Sequence, residues 1–303
     1  MKTLPLNNET YKNQVKKFVH WLTIQPYNYA ERTIRQYDNQ IREFFYYLEN
    51  YTSVKKIKTI QSTHISAFQD YLLRRQNLTK GGGLSASHIN GIIKTVMQYL
   101  KFLNHCYHHI IACDILPVKE KYKVPDVLTE EEVKQLLESI TNSNAEGITT
   151  RAKIAILYGA GLRKKELEYL KVEDISFEEH HIHVRNGKGG KERIVPVPVR
   201  ILEYVREYIH EVRDYQQVRE EYLFLGKMGR KLAEKYYYKA VKKALDESNI
   251  ESLAEKKISL HTFRHSIATH LLKKGMPIED IAWFLGHSTT DSTMIYTHIV
   301  PLV

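Results

Sequence analysis

Between residues 112 and 127 the chain loses the apolar periodicity that marks its flanks, and Pro117 and Pro125 fall inside the gap. Proline cannot continue a helix and biases the residue before it toward extended backbone. A chain interrupted in this way is expected to form two domains, and 303 residues allow each to bury its own core. The expected division is a first domain over 1–115, a linker over 116–127 and a second domain over 128–303.

The first domain reads as four helices. Val15, Phe18, Val19 and Leu22 recur at helical spacing, as do Ile34, Tyr37, Ile41, Phe44, Phe45 and Leu48. A third helix is expected from about Thr63 to Arg75, with Ile65, Phe68, Tyr71 and Leu72 inward. Gly81, Gly82 and Gly83 break the pattern, and Ser85 then caps a long helix carrying Ile89, Ile92, Ile93, Val96, Leu100 and Leu103.

The second domain opens on Thr129 with Glu132 three residues later, the signature of a capping box. A buried helical run over 154–158 stops at Gly159 and Gly161. Short apolar or alternating segments at Ile175, 181–184 and 193–196 read as strands, with the glycines of 187–190 as a turn. Beyond Val199 the pattern is again helical. The expected fold is therefore mainly α with a small antiparallel β-sheet.

Formal net charge is +10, with 43% hydrophobic and 26% charged residues. A basic globular chain of this kind is expected to bind a polyanion, and nucleic acid is the leading candidate. No apolar run approaches the roughly 20 residues needed to span a bilayer, and the first residues lack the apolar core of a signal peptide. Cys106 and Cys113 are the only cysteines, so a disulfide framework is not expected. These features favour a cytoplasmic protein with no membrane partner. His105, Cys106, His108, His109 and Cys113 lack the paired spacing of a zinc site, so no metal is expected.

Cationic and nucleophilic side chains cluster in the second domain. Arg163 follows Gly161-Leu162 near a helix start, and Arg264 lies three residues after His261 on one predicted helix. A guanidinium keeps its charge and presents a planar fork matched to phosphate oxygens. Lys188 sits in the predicted turn, where its stem could reach a leaving oxygen; Lys191 is a rival for that role. His287 follows Leu285-Gly286, and Tyr296 follows in turn. A free phenol is ionised about once in a thousand at neutral pH, so it would need a base or a cationic neighbourhood to attack.

These residues fall in motifs. Gly161-Leu162-Arg163-Lys164-Lys165-Glu166-Leu167, Gly187-Lys188-Gly189-Gly190-Lys191-Glu192-Arg193, His261-Thr262-Phe263-Arg264-His265, Leu285-Gly286-His287 and Ile295-Tyr296-Thr297-His298 occur in that order. The chain resembles the tyrosine recombinase family of phage integrases and Xer proteins, and the helical first domain resembles that family's core-binding, SAM-like domain. The resemblance implies that Arg163 and Arg264 bind a scissile phosphate, that Lys188 is the general acid and that His261 is a general acid/base. It further implies that His287 hydrogen-bonds the phosphate, that Tyr296 forms a 3′-phosphotyrosyl bond and that Glu166 supports the site. The two domains would close as a C-shaped clamp on double-stranded DNA bearing an inverted-repeat site. Four protomers, identical or shared with a second recombinase, would act on two such sites. No metal, nucleotide or other cofactor would be needed, because the phosphotyrosyl bond conserves bond energy. The seven residues after Tyr296 are fewer than Xer-like members carry, which bears on how protomers regulate one another rather than on the chemistry.

DNA contacts are expected from Arg32, Arg35, Gln36, Asn39 and Arg42 on the second helix and from Ser87, Asn90 and Lys94 on the fourth. Lys191 and Arg193, beside the turn, complete that set. Arginine and asparagine can read base edges in a major groove, though most contacts should reach phosphates. Two other classes compete. A type IB topoisomerase uses a similar set but carries a lysine where His261 stands, and a helix-turn-helix regulator would leave Lys188 and Tyr296 unexplained.

Overall fold

The computed structural model describes residues 4–24, 29–77, 81–120, 124–185, 192–216, 219–226, 228–287 and 291–294. The chain divides into two compact units, Met1–Tyr122 and Lys123–Val303.

Four helices build the first unit: α1 (Glu9–Thr23), α2 (Glu31–Tyr51), α3 (Ser62–Arg74) and α4 (Ala86–Tyr107). Each buries one stripe, because residues a turn apart share a face. α1 contributes Tyr11, Val15, Phe18 and Leu22, and α3 contributes Ile65, Phe68 and Leu72. The stripes meet in an aromatic-rich core. Tyr99 of α4 meets Phe18 edge-on with ring centroids 5.4 Å apart, and Phe45 of α2 likewise at 5.3 Å. Such pairs add about 0.5–1.5 kcal/mol beyond the area they bury. Two hydroxyls inside are matched: that of Thr95 donates to Gln40 Oε1 at 2.6 Å, and that of Tyr11 to the Val54 carbonyl at 2.7 Å. Ser85 caps α4 by accepting from the His88 N–H, the role its position suggests.

In the second unit α5 (Glu130–Ser139) starts on the reciprocal Thr129–Glu132 box. The next helix, α6 (Ala145–Gly159), is buried nearly all round through Ala152, Ile154, Ala155, Ile156 and Leu157. A helix apolar on every side belongs at the centre of a domain. Around it pack α8 (Val199–Tyr208), α9 (Glu234–Ser248) and α11 (Leu260–Lys273). Gly159 permits the close approach to α8, since a Cβ there would lie 2.7 Å from Ile201. Among the described residues the unit also has the short α-helices α7 (Lys164–Tyr169), α10 (Glu251–Ala254), α12 (Ile278–Leu285) and α13 (Asp291–Met294).

The sheet has strands β1 (Ile175–Ser176), β2 (His181–Val184) and β3 (Arg193–Pro196), antiparallel in that order. Ile182 stands opposite Ile175 and Val195, and Val184 opposite Arg193. Ile182, Val184 and Val195 are buried while Ile194 is 48% exposed, as a period-two strand over a core requires. Arg193 shares the inward face. The architecture is thus mainly helical with a small antiparallel sheet. Among the described residues no helix is long and apolar enough to cross a membrane, and no group of His, Cys, Asp and Glu side chains could hold a metal ion.

Candidate active site

The site forms where three chain segments meet at the end of α12. The first leaves α6 through Gly161, whose φ of +54° is left-handed. A Cβ there would lie 3.0–3.2 Å from Phe284, Leu285 and Ile267, so glycine satisfies both the backbone angle and the space. The turn delivers Arg163 to the N-cap position of α7. The Arg163 N–H donates to Glu166 Oε2 at 2.8 Å, and its Nη1 donates to Oε1 at 2.7 Å. One carboxylate therefore caps the helix and holds the side chain of its own cap residue.

The second segment is α11. Thr262 helps to close its first turn by accepting from the Ser259 N–H at 3.0 Å. Two residues later Arg264 is 4% exposed, donating to the Gly161 carbonyl and to the Leu285 carbonyl, each at 2.6 Å.

The third segment is α12, which ends at Gly286 with φ +65°. Its last carbonyls have no partner within the helix and lie at the negative end of the helix dipole. Three guanidinium groups take them in succession. Arg193 Nε donates to Phe284 O at 2.9 Å, Arg264 Nη2 to Leu285 O, and Arg163 Nη2 to Gly286 O at 2.6 Å. Backbone geometry thus sets the spacing of the cations.

Three guanidinium charges face one carboxylate. Burial by itself would raise the Glu166 carboxyl, but hydrogen bonds from Arg193 and its charge, with those of Arg163, outweigh it and hold Glu166 at about 2. Among the described residues the guanidinium groups of this cluster outnumber its carboxylate, a balance that suits an anion. The Arg163 side chain is 22% exposed, so its fork reaches the surface of the site.

The histidines respond to the same field. His287 is held down at about 4, first by partial burial and then by Arg264, Arg163 and Arg193. It is therefore neutral at physiological pH, with Nδ1 2.8 Å from the Thr293 hydroxyl. His261, exposed on the first turn of α11, is lowered by desolvation and then by Arg264, Lys164 and Arg163. Nearby, Lys164 pairs with Glu234 at 2.7 Å.

The fold thus brings together Arg163, Glu166, Arg264 and His287, with His261 in their electrostatic reach. Lys188, Lys191 and Tyr296 lie outside the described residues. Arg193, expected among the DNA contacts, is 7% exposed, and its guanidinium is bonded to Glu166 and to the Phe284 carbonyl. A charged residue beside a hairpin turn reads as solvated, and no local pattern announces a partner 27 residues away. Thr293, fully buried against His287, was not singled out either.

In the first unit, Arg32, Arg35 and Gln36 are exposed on α2, with Asn39 and Arg42 half-buried on the same face. Arg35 pairs with Glu31, and Arg42 with Asp38 at 3.0 Å. Ser87 and Lys94 are exposed on α4. Asn90 behaves otherwise. Its amide accepts from the Val118 N–H at 2.8 Å and donates to the Val118 carbonyl at 2.9 Å, so it fastens the following segment rather than standing open for a base.

Residues 126–301 match the phage integrase family and residues 15–106 the N-terminal SAM-like domain of phage integrases. Tyrosine recombinase XerD of Listeria monocytogenes serotype 4b is 30% identical over 297 residues, covering 95% of this chain and 94% of the relative. Tyrosine recombinase XerA of Pyrococcus furiosus is 34% identical over 279 residues, covering 89% and 92%. In fold, the chain is similar to a XerH site-specific recombinase bound to a palindromic difH substrate, with a TM-score of 0.80 at 21% identity over 99% of this chain and 95% of that one. A lambda integrase dimer bound to a core site gives a TM-score of 0.68 at 15% identity, with 94% of each chain covered. With both units matched in order and relatives aligned along nearly the whole length, this chain belongs to the phage integrase family and is a tyrosine-type site-specific recombinase.

Proposed function

We propose that the protein cuts and rejoins double-stranded DNA at an inverted-repeat site through a covalent bond to Tyr296. The observation that carries this reading is the cluster of guanidinium groups held on consecutive carbonyls at the end of α12, positive beyond what Glu166 neutralises. A phosphodiester is the anion that suits it. Arg163 and Arg264 bind the non-bridging oxygens and stabilise the charge that builds on them as phosphorus is attacked. The Tyr296 oxygen forms the new bond to phosphorus, and the bond to the 5′ oxygen breaks, leaving a 3′-phosphotyrosyl linkage. Lys188 gives the departing 5′ oxygen its proton, with Lys191 beside it on DNA. His261 takes up the phenol proton, and neutral His287 hydrogen-bonds the phosphate. Glu166 holds Arg163 in register. The 5′ hydroxyl of a partner strand then attacks the phosphotyrosyl bond and releases the phenol, so the cycle needs no metal, nucleotide or other cofactor.

In this reading residues 1–115 form the core-binding domain, 116–127 the linker and 128–303 the catalytic domain, and the protein acts on cytoplasmic DNA. Arg32, Arg35, Gln36, Asn39, Arg42, Ser87 and Lys94 contribute phosphate and groove contacts. Four protomers, all of this chain or shared with a second recombinase, synapse two sites. The test is a nicked suicide duplex that traps the covalent species. Wild-type protein should give an adduct stable to denaturant, and Tyr296→Phe should bind the duplex equally well and give none. An adduct that persists in Tyr296→Phe moves the nucleophile elsewhere, and relaxation of supercoils without strand exchange favours a topoisomerase.

A further inference from the structure

We infer that Arg193 is a positioning residue for strand cleavage, fixing Glu166, and through it Arg163, to the end of α12. This rests on the recombinase chemistry proposed above. Four hydrogen bonds reach the Glu166 carboxylate. Oε1 accepts from Arg163 Nη1 at 2.7 Å and from Arg193 Nη1 at 3.0 Å. Oε2 accepts from the Arg163 N–H at 2.8 Å and from Arg193 Nη2 at 2.8 Å. An ionised carboxylate has about four lone-pair sites, so its plane is determined and cannot rotate away from Arg163. The remaining Arg193 donor, Nε, holds the Phe284 carbonyl at 2.9 Å. One side chain thus joins β3, α7 and α12, three of the elements around the phosphate pocket.

A second observation is steric. A Cβ on Gly286 would lie 2.8 Å from Arg193 Nη1 and 3.1 Å from its Cζ. Gly286 therefore serves twice, in the left-handed cap of α12 and as the space the buried guanidinium occupies. With its side chain 5% exposed beside Glu166 at 2%, the pair is sealed from solvent. Lysine at 193 would keep a charge but could not bridge both carboxylate oxygens and a carbonyl, because an ammonium is a point donor rather than a fork.

The test uses Arg193→Lys, Arg193→Met and Arg193→Met combined with Glu166→Gln in the full chain. Single-turnover cleavage of the suicide duplex is followed at saturating protein from about pH 5 to pH 8, and binding is measured against salt. Both single variants should bind with the wild-type salt dependence and cleave about 10²-fold more slowly, the loss expected when a catalytic group shifts by an ångström. Glu166 must be ionised to hold Arg163. Without Arg193 its carboxyl is less firmly held in that form, so cleavage by Arg193→Met should rise with pH over a range where the wild type does not follow it. Adding Glu166→Gln should remove that extra rise. A role in stability alone would lower the melting temperature without creating an ionisation.

Near-normal cleavage by Arg193→Lys overturns the inference, as does a loss in Arg193→Met with no new pH dependence. Weaker binding with a shallower salt dependence also overturns it, by making Arg193 a DNA contact. Should Arg193→Met fail to fold, the cleavage and salt dependence of Arg193→Lys decide alone. Absence of an adduct from wild-type protein overturns the recombinase chemistry and this inference with it. A normal wild-type adduct with unimpaired Arg193 variants overturns the inference only.

Discussion

The two units solve the problem of a protein interior in opposite ways. The first is closed by apolar and aromatic stripes, with Gln40, Glu43 and Thr95 the polar side chains buried there among the described residues. The second places Glu166, Arg193, Arg264, Thr262, Ser266 and His270 inside. A hydrophobic core tolerates change on its solvated faces. A core built on charge is stable only while each charge keeps its partner, because stranding one costs far more than the pair contributes. The difference sets how each unit can change: a solvated helical face can be revised contact by contact, whereas the arginine cluster around Glu166 stands or falls as one assembly.

The largest expected effect lies in the charged core. Arg264→Ala removes a guanidinium from both Gly161 and Leu285, and cleavage should fall by at least about 10²–10³-fold, the usual cost of losing one preorganised donor. A single-turnover rate near wild type would mean that the pocket does not act on the phosphate. Glu166→Gln should destabilise the second unit by about 3–5 kcal/mol, since Arg193 would keep its charge in a buried site without the carboxylate. Trp21 and Trp283, one in each unit, allow the two urea transitions to be followed separately. A shift confined to Trp21 would break the contrast between the units.

Acid should act on the same side of the comparison. His287 and His265 are both held near 4, each by burial first and then by neighbouring cations, against an ordinary value of 6.5. Their unfolded forms therefore bind protons that the folded forms refuse. Stability of the second unit is present above pH 6.5, declines as pH falls through the range between 6.5 and about 4, and stops declining from this cause below that. Urea midpoints at neutral and acidic pH should show the decline, and His287→Gln should lessen it. An equal decline in His287→Gln would assign the effect to other groups.

Smaller effects distinguish the polar positions of the first unit. Asn90→Ala removes both bonds to Val118 and should cost about 1 kcal/mol per lost hydrogen bond while leaving the salt dependence of DNA binding unchanged. Lys94→Ala, at an exposed position, should change stability by less than about 0.5 kcal/mol and reduce the salt slope by about one. The opposite pattern at either residue would exchange their roles.

Much of this contrast was legible in the sequence. Helical stripes such as Val15, Phe18 and Leu22, the caps at Ser85 and Thr129, and the strands around Ile182 and Val195 are local patterns, and local patterns survive folding. The glycines were visible as motif members, but their physical reason was not. Gly161 and Gly286 are needed because Phe284 and Arg193, far away in sequence, press against them. The partners of Arg193 and Asn90 stayed hidden for the same reason. A polar residue bonded to a carboxylate or backbone many residues distant looks, in one dimension, like any solvated arginine or asparagine. The carbonyls of Phe284, Leu285 and Gly286, which set the spacing of three arginines, carry no side-chain signature at all.

The most direct test of the cationic pocket replaces one non-bridging oxygen of the scissile phosphate by a methyl group. A neutral methylphosphonate no longer needs full charge compensation. Arg264→Ala, crippled on the ordinary duplex, should regain most of the wild-type cleavage rate on the methylphosphonate duplex. An equal defect on both substrates would contradict a phosphate clamp built on the end of α12.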